Sequence, residues 1–63
     1  LDRLILEAIR ESGGSILQGR LQNELGIPKT TLWRHVKKLE KQGYLRIVKE
    51  GTVNRLILLR EAG

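Results

Sequence analysis

The sequence predicts an α+β fold, three helices followed by a β-hairpin. Three observations carry that expectation. Apolar residues recur at helical spacing through the first two thirds of the chain, glycines interrupt each helical run, and the residue pattern turns aliphatic and β-branched after Gly43.

Helix 1 is expected over residues 1–12, "LDRLILEAIRES", where Leu1, Leu4, Ile5, Ala8 and Ile9 fall at helical spacing and Gly13-Gly14 supplies the stop. Residues 15–17, "SIL", are long enough only for a brief strand. Helix 2 is expected over 18–25, with Leu21 and Leu25 inward and Gly26 at its end. Ile27-Pro28 then opens helix 3 over 29–42, since proline is tolerated at the first helical turn, where its missing N–H has no partner to lose. Thr30 or Thr31 is the expected cap. Leu32, Val36 and Leu39 define its inner face, and Gly43 ends it. The run "YLRIVKEGTVNRLILL", residues 44–59, reads as a hairpin turning at Glu50-Gly51. Its second arm is apolar on both faces, so the pattern leaves Leu56/Leu58 and Ile57/Leu59 equally eligible for the core. An arm of this kind also suits packing against something outside this stretch of chain.

Sixty-three residues suffice for one small domain, expected to span 1–63. A chain of this length buries only about 60% of the surface that its unfolded form exposes. The sequence has no Phe, Met or Cys, so Leu, Ile, Val and Ala build the core, and disulfides and thiolate metal sites are excluded. Lack of cysteine fits a cytoplasmic location. No apolar run approaches the ~20 residues of a membrane span, and no secretory pattern is visible. The first residue is Leu1 rather than Met, as in a domain cut from a longer protein.

The net charge of +5 is concentrated. Residues 28–49 hold Lys29, Arg34, Lys37, Lys38, Lys41, Arg46 and Lys49 against Glu40 alone, while the flanking segments are near balance. Such a block points to a polyanion-facing surface. With Leu32 at zero on a helical wheel, Val36 lies at about 40° and Leu39 at about 340°. Lys37, Thr30, Lys41, Arg34 and Lys38 fall between about 140° and 240°, on the opposite face.

Two helices joined by a short glycine-containing turn form a helix-turn-helix, in which Leu21, Leu25, Ile27 and Leu32 meet on one inner side. The stretch "GIPKTTLWRHVKKLEKQGYL" resembles the winged helix-turn-helix pattern of bacterial and archaeal regulators. In that pattern a Gly-apolar-Pro/Ser-Lys-Ser/Thr-Thr-apolar run opens the recognition helix, and a Gly-aromatic/apolar pair begins the wing. The likeness spans about residues 4–59 and is greatest to the IclR, MarR and related archaeal regulators. It implies a winged helix-turn-helix that binds double-stranded DNA for transcription regulation, with homodimerisation through regions outside or at the edge of the domain. Two positions depart from the pattern: Gln22 stands where a small residue is frequent, and Trp33 where a small or polar one is.

An α-helix fits the major groove of B-DNA, its N-terminal side chains reaching base edges and later ones meeting phosphate. Thr30, Thr31 and Arg34 are therefore the candidates for base reading and Lys37, Lys38 and Lys41 for phosphate, with Lys29 at the start of helix 3 also a candidate DNA-binding residue. Lys49, Thr52, Asn54 and Arg55 sit at or beside the wing tip. Trp33, at about 100° on the wheel, is a further DNA-binding candidate: a half-exposed indole flanking the basic face, with Lys37 in reach for a cation–π contact and its outer edge free to meet sugar-phosphate or a thymine methyl. His35, at about −60°, is expected to be packed or half-buried.

Lone His35 makes no metal site, and neither a nucleophile–base pair nor a phosphate-binding loop is present. The expectation is a non-enzyme without a cofactor. The competing use is a winged helix serving protein–protein contact in a larger assembly, which would employ Trp33 and the doubly apolar last strand. The "PK" start of helix 3 is also similar to that of Z-DNA-binding domains. Trp33 and Lys37 replace the Asn and Tyr that such domains use, and this hairpin lacks their wing proline, which argues against that use.

Overall fold

The computed structural model describes residues 1–60. Its order is α1 (Asp2–Glu11), β1 (Ser15–Leu17), α2 (Gln18–Leu25), α3 (Lys29–Lys41), β2 (Leu45–Glu50) and β3 (Val53–Leu58). The strands form one antiparallel sheet in the order β1-β3-β2, so the last strand is central. The "SIL" segment is that sheet's short edge, with Ile16 opposite Leu56.

The helix stops follow from backbone geometry. The Tyr44 N–H reaches the Leu39 carbonyl and the Gly43 N–H that of Glu40, each at 3.0 Å, which closes α3 in a Schellman motif. At the end of α2, Gly26 adopts φ 63, a left-handed conformation that places its N–H 2.9 Å from the Gln22 carbonyl. The chain thereby reverses into α3 with no Cβ in conflict with its own backbone. Neither threonine caps α3. Pro28 is the N-cap, extended at φ −61 and ψ 147, and its carbonyl accepts the Leu32 N–H at 3.0 Å. Thr30 and Thr31 thus lie within the first turn.

The core gathers Ile5, Leu6 and Ile9 of α1, Ile16 of β1, Leu21 of α2, Leu32, Val36 and Leu39 of α3, Leu45 of β2 and Leu56 of β3. Leu25 and Ile27 are half-buried at its margin. The inward stripe of α1 runs through Ile5, Leu6 and Ile9, and Leu4 is 55% exposed. This helix packs against both α3 and the sheet, which rotates the buried stripe toward Leu6 relative to the sequence pattern.

The hairpin turns at Gly51-Thr52, one residue later than expected, because Glu50 still pairs with Val53. Gly51, at φ 63, takes the first loop position, where a tight hairpin favours glycine. The register also resolves the doubly apolar strand. Leu45 opposes Leu58 and Ile47 opposes Leu56, so the even-numbered residues of β3 face the helices. Leu56 is fully buried, Ile57 lies on the outer face of the sheet, and Leu59 is 57% exposed. Among the described residues, no helix is long and apolar enough to cross a membrane.

Candidate nucleic-acid interface

The position of α3 comes from its inner stripe. Leu32 and Val36 are fully buried and Leu39 nearly so, which turns Lys29, Thr30, Arg34, Lys37, Lys38 and Lys41 outward. Thr31 is half-buried beside that face. Low residual exposure along one stripe leaves little freedom of roll, so the basic face is presented as a unit.

A shallow groove of about 760 Å³ runs between the first turns of α3 and the turn end of the hairpin. Lys29, Thr30, Trp33 and Arg34 line one wall, with Gln18 and Asn54 forming the other. Five of the residues selected from the sequence therefore converge, from two elements 20 or more residues apart. Lys49 lies opposite Asn54 in the ladder and shares its face of the sheet. Trp33 is half-buried, and Lys37 Nζ stands 5.7 Å from its ring centroid, within cation–π range. The same ammonium lies 3.4 Å from Glu40.

Two candidates are engaged elsewhere. Lys38 Nζ sits 2.7 Å from Asp2 Oδ2 at the start of α1. His35 Nδ1 donates to the other oxygen of the same carboxylate at 2.7 Å. The Lys38 hydrogen bond holds the Asp2 carboxyl below the ordinary aspartate value of 3.8; partial burial opposes this and the His35 hydrogen bond adds to it. Asp2 thus ties the first helix to the middle of the third. Arg55 departs further from the expected placement. Its side chain lies on the outer face of the sheet, away from α3, with Nε 3.0 Å from Glu50 Oε1. Odd-numbered residues of β3 point outward once Leu56 is in the core, so Arg55 cannot share a face with Asn54. Thr52 and Lys41 are exposed, at the turn and at the last turn of α3.

Among the described residues, Lys29, Arg34, Lys41 and Lys49 have no ion-pair partner. These uncompensated cations lie on α3 and on β2 of the hairpin. The sequence reading overlooked Gln18, only 7% exposed and hydrogen-bonded to Asn54. Its signal lay in strand pairing, which no local pattern displays.

Residues 1–46 match the winged helix-turn-helix DNA-binding family. The chain belongs to this family. No curated protein and no solved structure matches it. The winged helix-turn-helix assignment accounts for the three helices, the short first strand and the hairpin as its wing. It also establishes double-stranded DNA as the partner class. The fold is non-enzymatic in general, and transcription regulation is the usual role of the family. The matched span stops at Arg46, so the tip of the wing and Asn54 lie beyond it.

Proposed function

We propose that this winged helix-turn-helix is the sequence-reading module of a transcription regulator, with α3 in the major groove. Residues 1–63 act as one domain of a cytoplasmic regulator of the broad IclR and MarR type and its archaeal relatives. Thr30, Thr31 and Arg34 approach base edges, Lys29, Lys37 and Lys41 meet phosphate, and Lys49, Thr52 and Asn54 of the wing follow the backbone beside the groove. Trp33 presents its ring edge to sugar-phosphate or a thymine methyl.

The observation that carries this reading is the convergence of Lys29, Thr30, Trp33 and Arg34 with Asn54 on one groove. A protein of this size needs a continuous cationic surface to hold a duplex, because phosphate neutralisation supplies most of non-specific affinity. Leu1, just before α1, and Leu4 on it are 41% and 55% exposed, away from the basic face of α3, which favours dimerisation there over use of the groove for protein contact.

The single tryptophan gives a direct test. In the free chain its emission is expected at intermediate to red wavelength and open to iodide quenching, with duplex DNA giving protection. Protection that follows protein concentration and ignores DNA would assign Trp33 to a protein interface instead.

A further inference from the structure

We infer that Gln18 is a positioning residue for the wing, a latch near the turn end of the hairpin that sets the angle of its tip to α3. Because the consequence for DNA presumes that the wing contacts the duplex, it rests on the reading above.

Strand β1 pairs with β3 through Ser15–Ile57, Ile16–Leu56 and Leu17–Arg55. In that register the next partners are residues 18 and 54. Here the chain leaves the strand, because α2 begins at Gln18. The backbone ladder therefore stops one rung short, and the side chains complete it: Asn54 Nδ2 donates to Gln18 Oε1 at 3.0 Å. Beyond Leu17–Arg55 the sheet is only the two-stranded ribbon of β2 and β3, pairing Lys49 with Asn54 and Glu50 with Val53. A two-stranded ribbon is marginal in water when nothing packs on it. Among the described residues, no other side-chain hydrogen bond or ion pair joins residues 49–54 to a helix.

Burial explains why this bond has orientational force. Gln18 is the one buried polar side chain among the described residues, and no buried side-chain nitrogen or oxygen in them lacks a partner. If the ribbon swings outward, the Gln18 carbonyl oxygen loses its partner inside a nearly closed site, which carries a desolvation cost. The half-buried Asn54 shares in this. The outer face holds Glu50 to Arg55 within the ribbon itself, which stiffens the ribbon and does not orient it. Lys49, on the face of Asn54, moves wherever this hinge moves.

The test uses Gln18→Met, Asn54→Leu and the double variant. Residual dipolar couplings of amides 49–54 in the free chain give the wing angle, and melting temperatures report on folding. Affinity and hydroxyl-radical footprints are measured on a duplex selected from a random pool. Each single variant is expected to turn the wing and weaken binding about fivefold, the weight of one hydrogen bond. The double variant is expected to be no weaker than the singles, because both remove the same contact. Protection flanking the site is expected to fade while its centre, under α3, stays protected. Unchanged couplings in Gln18→Met overturn the latch, as does a double variant weakened by the product of the two single effects. Should Gln18→Met fail to fold, Asn54→Leu breaks the same bond from its half-exposed side and decides through the same couplings. Absence of footprinting by the wild-type chain would instead refute the groove-reading proposal, and the free-chain couplings would still decide the latch.

Discussion

Asp2→Asn is expected to strengthen DNA binding, although Asp2 lies on the first helix and outside the groove. Both oxygens of its carboxylate are engaged by α3, one with Lys38 Nζ at 2.7 Å and one with His35 Nδ1 at 2.7 Å. Lys38 sits on the outward face of α3 and is still 55% exposed, so only its ammonium is diverted. Neutralising Asp2 replaces an ion pair with at most a weak hydrogen bond and frees that ammonium for phosphate. Each neutralised phosphate adds about 0.9 to the steepness of log K against log salt. Lys29, Lys37, Lys41 and Lys49, the cations assigned to phosphate, give the wild-type chain a slope of about −4. The variant is expected near −5, so its affinity falls about 3.5-fold more than the wild type's between 50 and 200 mM salt. Fluorescence anisotropy with a labelled duplex across that range reads the slope. Glu24→Gln, which removes the same charge from the Arg20 pair, controls for net charge. If both variants shift the slope equally, or if Lys38→Ala already flattens the wild-type slope by a full contact, Asp2 does not sequester Lys38.

The same carboxylate makes an acid-stability prediction. A depressed carboxyl stabilises the fold above its unfolded value of about 3.8 and loses that contribution as pH falls through its lower folded value. Wild type and Asp2→Asn are therefore expected to differ by about 0.2–1 kcal/mol at pH 6, since Asp2 is one-third exposed and Lys38 more than half, and to converge in thermal melts once pH has fallen below 3.8 and through the lower folded value. Lys41→Ala is expected to weaken all duplexes alike and flatten the salt slope by about one unit, whereas Arg34→Ala changes preference among sequences in a selection experiment. Leu39→Ala, at 2% exposure, is expected to cost about 2–5 kcal/mol by chemical denaturation, a large share of what a small domain has to lose. Leu25→Ala, half-buried at the core margin, is expected to cost clearly less; equal losses would contradict the core described above.

The sequence by itself determined the helical segments, their glycine stops, the inner stripe of Leu32, Val36 and Leu39, and the placement of excess positive charge on the opposite face of α3. These properties are local: helical spacing, a glycine's access to positive φ and the order of charges are all written within a dozen residues of one another. What only the tertiary structure decided depends on which strands pair and in what register. The run from Leu56 to Leu59 is apolar at every position, so alternation carries no information there. Pairing of Leu56 with Ile16 and Ile47 chose the inward face, and that choice sent Asn54 into the groove and Arg55 away from it. Contacts between distant residues decided the rest. Lys38 is an outward lysine by spacing, yet its charge is held by Asp2 because α1 crosses α3 at that turn. Gln18 looks like an ordinary polar residue opening a helix, and it becomes the buried partner of Asn54 only once strand pairing brings them together across 36 residues of chain.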